Sequence, residues 1–493
     1  MIVVASLFLL MIFSSNASAY LNATSAEIAV WQSRMVSGPY KSTGDVSTNS
    51  PGDWDRIVGH KNNFLSSPSS SRYAGQTLNV CVTPESITAP GRDLGRPLLD
   101  AAFYYLVNTG AGDRETVRTA VRDELLAQAG TAGTTYTDTS RWCPGSPYGP
   151  LIDENPGFDM SNWMTRLIFA YDYIRPTLSG GDQTTLDAWF LSWAQFTRPN
   201  IDGWLASARY PGRESDDYSS PTDQGVGSAD FKKTHYDGWQ SDGWIQAFGS
   251  NRGGAYMRYT ALAGILFNDA TLKTSAKRYF KEAIKYGTFA DGTLSEMYRW
   301  EDSYPTLGWD YAALTIGELV TIADVFARSG DAELYDFSTS TGYNGTAGGP
   351  KSLGQMMTLF LSFVDGSTVR YGTENAANNG NSAYKIDTVD GVSGDEYVDD
   401  TNVVHGNLYY RSAYNKSVYL RTASGAPAYP PGGGTSGGWT PFTGDWGTYP
   451  AMLFMYGQME DNTANPYLGG GEGGGGGGGL SGSVNLTGKV VVQ

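Results

Sequence analysis

The sequence is poor in cysteine, histidine and charged residues. Two cysteines and three histidines occur among 493 residues, and they do not cluster at the spacing of a zinc site. Charged residues make up 17% of the chain, and its formal net charge is −16. An acidic chain of this kind lacks the basic surface that nucleic acids require. The sequence therefore predicts no metal, no other cofactor and no nucleic-acid partner.

Long apolar runs are also scarce, and the clearest one stands at the start of the chain. Residues 2–13 are almost wholly apolar and lead into Ala17-Ser-Ala19. A short apolar run followed by small residues is typical of a signal peptide and too short to span a bilayer. We expect 1–19 to be removed, leaving a secreted or periplasmic chain that begins at Tyr20 with no membrane span. Because no Lys or Arg precedes the run, an anchored form is the alternative.

The two cysteines are Cys81 and Cys143. An even pair in an exported protein is most simply a disulfide, because thiols oxidise outside the cytoplasm. We therefore predict a Cys81–Cys143 bridge in the N-terminal region.

Aromatic residues are abundant, with 32 Tyr and 13 Trp. Most such residues build the core, yet exposed Trp and Tyr rings also stack on the C–H faces of sugars. The composition therefore fits a folded protein and is compatible with a glycan partner.

A helical period begins near Leu94 and recurs as far as Val364. Apolar side chains at Val117, Val121 and Leu125 share one face of a helix. We predict a series of helices in paired succession, the arrangement of an α/α toroid, as follows: Pro97–Val107, Arg114–Ala129, Asn162–Ile174 capped by Asp159–Ser161, Asp182–Phe196, a run from Tyr256, Leu272–Tyr286, Asp310–Ala327 and Ser352–Val364.

The other parts of the chain lack this period. We predict an irregular N-terminal wrap, a toroid domain, a mixed loop and β part with some helix near Met452, a Gly-rich linker and a strand, at 20–93, 94–366, 367–468, 469–479 and 480–493. The β-like runs in the mixed part are Val403–Tyr410 and Ser417–Thr422. The final strand is too short to fold alone, so we expect it to pair with a partner's sheet edge or to begin a further domain.

Two polar segments precede the central helices. The first, 198–236 and the residues after it, contains His235, Trp244 and the loop Gly249–Gly254. The second follows Asp291-Gly292 and reads Glu296-Met-Tyr-Arg-Trp-Glu-Asp-Ser-Tyr-Pro305. Long polar loops within a compact domain are more often functional than not.

Three stretches are similar to the alginate-lyase-type polysaccharide lyases. These are Ala170-Tyr-Asp-Tyr-Ile-Arg-Pro176, the loop with Asn251 before a helix, and Asp291-Gly-Thr-Leu-Ser-Glu-Met-Tyr-Arg299 followed by Trp309-Asp-Tyr-Ala-Ala-Leu. The resemblance covers roughly 158–330 and rests on short motifs. It implies an α/α toroid and cleavage of uronate polymers by β-elimination.

The resemblance also assigns roles to individual residues. It places the amide and the guanidinium that neutralise the uronate carboxylate at Asn251 and Arg299, and a Tyr acid or base at Tyr304. Around them we expect substrate contacts from Arg252, Tyr256, Trp244, Trp300 and Glu301.

The chain departs from the resemblance at one position. Lyases of this type often carry His directly after the neutralising Asn, and here that residue is Arg252. The base is therefore open, with His235, His405, Tyr256 and Tyr304 as candidates.

Structural roles remain open for the same residues. Asn251 would also suit a helix cap, and Arg299 would also pair with Glu296 or Glu301.

Two other functions fit the same sequence. A glycoside hydrolase would use two carboxylates from Asp242, Glu296, Glu301 and Asp310. A non-catalytic glycan-binding or surface-assembly protein would keep the helical fold without the chemistry.

Overall fold

The computed structural model describes residues 20–38, 54–72, 95–132, 155–208, 248–249, 251–289, 292–294, 307–341, 350–364, 369–371, 383–384, 403–419, 450–468 and 491–492. These residues are mainly helical, as the periodicity predicted. None of the described helices is long and apolar enough to cross a membrane.

Six helices form the first half of the described chain. They are α1 (Ser25–Arg34), α2 (Trp54–Ser66), α3 (Arg96–Val107), α4 (Arg114–Ala132), α5 (Asn155–Ile174) and α6 (Gly180–Ala208). Two 3₁₀ turns, Pro68–Ser71 and Arg175–Thr177, follow α2 and α5.

Eight further helices and five short strands complete the described elements. The helices are α7 (Asn251–Leu266), α8 (Ala270–Tyr286), α9 (Leu307–Arg328), α10 (Glu333–Asp336), α11 (Leu353–Val364), α12 (Val403–Tyr410), α13 (Ala413–Tyr419) and α14 (Met452–Tyr456). The strands are β1 (Ser338–Thr339), β2 (Lys351–Ser352), β3 (Val369–Tyr371), β4 (Ala383–Tyr384) and β5 (Val491–Val492).

Alternate helices pack against one another in two rows. In one row α3 contacts α5, α5 contacts α7 and α7 contacts α9, while in the other α4 contacts α6 and α6 contacts α8. Gly95, just before α3, packs on Trp163, and Phe103, further along α3, packs on Tyr173. Helices α3 and α5 therefore run parallel. Short connections join α3 to α4 and α7 to α8, so each such pair is an antiparallel hairpin.

The first row returns to its starting point through the two ends of the chain. Helix α9 contacts α12, α12 contacts α14, α14 contacts α1, and α1 contacts α3. The Trp31 indole donates to the Met455 carbonyl at 2.6 Å, and its ring lies 5.3 Å from Phe103. One continuous hydrophobic core joins all of these helices. The first and last described helices are therefore part of the main body.

The ends of several helices differ from the sequence-based prediction. Helix α5 begins at Asn155, so Asp159–Ser161 lie inside it and do not cap it. Helix α6 continues through Pro199 to Ala208, so the polar loop predicted from residue 198 starts later. Beyond Pro199, Ile201 and Leu205 are buried, so packing there outweighs the local signal for a helix end.

The N-terminal region is more helical than predicted. Instead of an irregular wrap, 20–93 contains α1 and α2. Helix α1 begins with a capping box, in which Thr24 and Glu27 bond to each other's backbone N–H groups. Buried Trp31 and Trp54 hold the two helices on the core.

The β predictions were wrong in their placement. Val403–Tyr410 is the helix α12, and the run predicted from Ser417 begins inside α13. A minimal antiparallel pairing of β1 with β2 lies within the span predicted to be mainly helical, whereas β structure was expected only in the later part of the chain. The helix near Met452 is confirmed as α14. Strand β5, at the end of the chain, pairs in parallel with β3 of the same chain.

Candidate functional site

Asn251 lies in the first turn of α7. Its side chain is only 4% exposed and makes no hydrogen bond to any other described residue. The alternative role as a helix cap is therefore not observed, since a cap would accept a backbone N–H. The next residue, Arg252, is partly exposed. The amide of Asn251 is thus held at a helix end without an internal hydrogen-bond partner in the described part of the chain.

The two polar segments leave the core at the same end of the α7–α8 hairpin. Phe248, just before α7, packs its ring 5.5 Å from that of Tyr286, the last residue of α8. A Cβ added at Gly287 would lie 2.1 Å from the Phe248 carbonyl oxygen, so the two backbones touch. The chain entering α7 and the chain leaving α8 are therefore neighbours.

A tight turn then directs the second segment. Thr288 and Leu294 form an antiparallel bridge, and Gly292 takes the positive φ of 91° that the turn requires. Arg299 follows Leu294 by five residues in the sequence and lies outside the described residues.

A row of buried polar side chains lies one to two turns inside Asn251. Arg258 of α7 donates a hydrogen bond to Asn162 of α5, and both residues are buried. Glu318 of α9 is 2% exposed and packs on Gly254, where a Cβ would lie 1.9 Å from its Oε2 atom. A glycine at 254 therefore lets a carboxylate approach α7 closely.

Tyr279 of α8 belongs to the same interior region. Burial raises the pKa of its hydroxyl well above the usual value, and the negative charge of Glu318 raises it further. Tyr279 is therefore neutral at ordinary pH. Sequence reasoning missed Asn162, Arg258, Glu318 and Tyr279, although polar residues within otherwise apolar helices were a usable signal.

Tyr256 occupies a position different from the predicted one. Its side chain is 2% exposed and forms part of the hydrophobic core. A ring buried in this way packs helices together, so the predicted substrate contact and the alternative role as base are not supported by its position.

His405 is also a core residue, and its placement in a β-like run was wrong. It lies in α12, its Nε2 atom is 2.9 Å from Asp324 Oδ2, and its ring stacks on Tyr456 at 4.0 Å. Burial lowers the pKa of its imidazole, and the Asp324 charge acts in the opposite direction. Its contacts are with the C-terminal part of α9, away from the Asn251 end of α7, so His405 is a structural residue.

The remaining predicted site residues lie outside the described residues. They are Arg299, Tyr304, His235, Trp244, Trp300, Glu301, Cys81 and Cys143, together with Asp242, Glu296 and the side chain of Asp310. Their roles and the disulfide stay predictions. Within the described ranges, no group of three or more His, Cys, Asp or Glu side chains is arranged to hold a metal ion.

Comparison of the chain with protein-family models, curated proteins and solved structures finds no match. The function is therefore argued from the residues and their geometry.

Proposed function

We propose that this protein is an exported polysaccharide lyase that cleaves a uronate-containing glycan by β-elimination. The observation that carries the proposal is the common origin of the two polar segments, because Phe248 packs on Tyr286 and Gly287. One segment supplies Asn251, and the other runs towards Arg299 and Tyr304.

The architecture that suits this site is an α/α toroid. The succession of contacts from α3 through α9 and back through α12, α14 and α1 supports a closed inner layer of helices. The row of α4, α6 and α8 supports an outer layer. In such a fold the inner helices begin at one end, where loops from several hairpins form a cleft.

The chemistry needs three groups in that cleft. The proton next to a uronate carboxylate is too weakly acidic to be removed unless the carboxylate is neutralised. Asn251 and Arg299 would donate hydrogen bonds to it and stabilise the charge that builds in the transition state. Tyr304 would protonate the departing glycosidic oxygen, and either Tyr304 or His235 would take the first proton.

The remaining substrate contacts follow from the same arrangement. Trp244 and Trp300 would stack on sugar rings, with Arg252 and Glu301 at the edge of the cleft. Of these groups, Asn251 and Arg252 lie among the described residues, and the Asn251 amide makes no hydrogen bond to another described residue.

Elimination leaves an unsaturated uronate that absorbs in the ultraviolet. We expect this absorbance when the protein is incubated with a panel of uronate polymers. Asn251→Ala and Arg299→Ala should each lower kcat about 100-fold or more, since each removes one donor to the developing charge. Tyr304→Phe should abolish turnover while leaving thermal unfolding unchanged.

A matched control is Arg122→Ala on α4. Arg122 is an exposed arginine bonded to Asp123, so its loss should leave kcat unaltered. Reducing ends without ultraviolet absorbance would contradict the lyase proposal and identify a hydrolase. Binding of the polymer without either product would contradict the lyase proposal and identify a glycan-binding protein.

Export is part of the same proposal. Mass spectrometry of the exported chain should give a mass that starts at Tyr20 and lacks two hydrogens for the Cys81–Cys143 bridge. Closing a loop of that length would stabilise the fold by about 4 kcal/mol in the chain-entropy description. Two free thiols in the exported protein would contradict the bridge.

A further inference from the structure

A buried carboxylate without a counter-ion lies where the first described residues meet α5. Asp172 is 6% exposed, and its Oδ2 atom accepts the Leu21 N–H at 2.7 Å. Within the described part of the chain this is its one hydrogen bond, and it forms no ion pair. Desolvation raises the pKa of this carboxyl to about 7. A buried carboxylate in such a site is costly unless a cation accompanies it.

The arginines in this region are committed to other groups. Arg175 binds Asp187 at 3.0 Å and the Tyr171 hydroxyl at 3.1 Å. Arg114 donates to the Tyr105 carbonyl at 3.1 Å and lies over the Tyr105 ring at 3.9 Å. Neither side chain bonds to Asp172, although the charge of Arg175 lowers the pKa of its carboxyl, so a closer cation would stabilise the carboxylate further.

The backbone nitrogen of Tyr20 is well placed for this purpose. It precedes the Leu21 nitrogen that already touches Asp172, and consecutive backbone nitrogens are about 3–4 Å apart. The Tyr20 N–H donates to the Ala23 carbonyl at 3.0 Å. Asn22 is anchored on both sides, by Tyr173 at 2.9 Å and by Tyr456 at 2.6 Å. The position of Tyr20 is thereby fixed beside the carboxylate.

We propose that hydrolysis of the Ala19–Tyr20 bond turns the Tyr20 nitrogen into the counter-ion of Asp172. Water adds its hydroxyl to the Ala19 carbonyl carbon, the C–N bond breaks, and the nitrogen leaves as an amine that is protonated at neutral pH. The ammonium then has three N–H groups in place of one. One remains on the Ala23 carbonyl, and the others reach towards Asp172. Removal of residues 1–19 thus completes a buried ion pair in the folded protein.

This inference rests on the export part of the proposed function and is independent of the lyase chemistry. It predicts that the new N-terminus stabilises the fold, whichever reaction the cleft performs. Its tests therefore measure stability and amine reactivity, and neither readout depends on lyase activity.

The first test is a thermodynamic cycle with two N-termini and two side chains. One chain begins at Tyr20 and the other retains Ser18-Ala19, each with Asp172 or with Asp172→Asn. Asn keeps the hydrogen bond from Leu21 and removes the charge. We expect the chain that begins at Tyr20 to unfold about 3–6 °C higher than the extended one, and this difference to vanish with Asp172→Asn. Equal midpoints for the two native-sequence chains, or a difference that persists with Asp172→Asn, would overturn the proposal.

The second test does not depend on whether the variants fold equally well. In the folded chain that begins at Tyr20, the pKa of the α-amine should lie above its ordinary value of about 8, because the carboxylate favours the charged form. The rate of its reaction with an amine reagent should then begin to rise at a higher pH than the rate for a peptide of residues 20–34. Reaction as fast as in that peptide would exclude the ion pair. An exported chain that starts at any residue other than Tyr20 would also exclude it.

Discussion

At the scale of single residues, a cluster of buried charged side chains lies at the end of α9. Arg328 bonds to both carboxylate oxygens of Glu27, at 2.7 and 2.9 Å, and to Asp324 at 2.6 Å. His405 and Tyr467 also bond to Asp324. Burial disfavours the charged form of Asp324, yet Arg328 and His405 lower its pKa to about 2. This cluster ties α1, α9 and α12 together.

Replacing Asp324 with Asn should be strongly destabilising. The variant leaves the Arg328 cation buried with one carboxylate fewer, a change that costs about 3–5 kcal/mol in other proteins. Unfolding by urea at neutral pH would measure the loss. The difference from wild type should shrink as the pH falls below about 4, since the unfolded-state carboxyl then takes up a proton that Asp324 resists.

The control is Asp331→Asn, which removes a carboxylate from a more exposed ion pair with Lys277. Exposed pairs are worth about 0–1 kcal/mol, so this variant should remain close to wild type. Equal losses of unfolding free energy in both variants would show that the buried cluster stabilises the fold no more than the exposed ion pair does.

At the scale of helices, close approach between α7 and α9 depends on Gly254. Its missing side chain leaves room for the Glu318 carboxylate, which stands in the row behind Asn251. Gly254→Ala should destabilise the fold by about 1–3 kcal/mol and also lower activity, because α7 or Glu318 must move.

Gly203→Ala is the matched control for that substitution. Gly203 lies in α6, and a Cβ built there has nothing within 4 Å. Alanine should therefore stabilise the helix by about 0.5–1 kcal/mol. Thermal unfolding of both variants would separate a steric effect from a general effect of glycine replacement. A stabilised Gly254→Ala variant would contradict the close contact.

Helix α6 contains Pro199 in its interior. Proline removes one backbone hydrogen bond and crowds the preceding turn. We expect Pro199→Ala to raise the free energy of unfolding by about 1–3 kcal/mol, as measured by urea denaturation. Pro176→Ala should change little, because Pro176 stands at the start of the 3₁₀ turn, where no helical N–H bond is lost. A destabilised Pro199→Ala variant would contradict this expectation and show that the proline ring contributes to the stability of α6.

At the scale of the whole molecule, the two ends of the described chain close the core. Trp54 stacks on Phe454 at 5.2 Å, and the indole of Trp31 bonds to the Met455 carbonyl. Arg56 and Arg96 both donate to the Pro450 carbonyl, at 2.9 Å in the case of Arg96. The segment 450–468 therefore covers buried aromatic rings of α1, α2 and α3.

Two truncations test this closure. A chain that ends at residue 449 should lose more than about 5 kcal/mol, since large aromatic rings would face water, and should not unfold cooperatively. A chain that ends at Leu468 loses, among the described contacts, the pairing of β5 with β3. Its melting temperature should stay within about 2 °C of the full chain. Circular dichroism on heating would show both results, and equal behaviour of the two chains would contradict the role of 450–468.

The amino-acid sequence by itself determined where most helices lie. Val117, Val121 and Leu125 are buried on one face of α4, as their spacing predicted. The mainly helical content followed because a periodic apolar face is a local property that needs no knowledge of its partner.

Only the tertiary structure decided what each buried face meets. Val403–Leu408 are all buried, so their apolar pattern carries no period, and packing on α9 and α14 settled the helix. His405 became a core residue because Asp324 and Tyr456 surround it, and neither is near it in sequence. Trp31 and Met455 meet across 424 residues. Contacts of that kind depend on loop closure and on the whole set of competing surfaces, which local spacing does not encode.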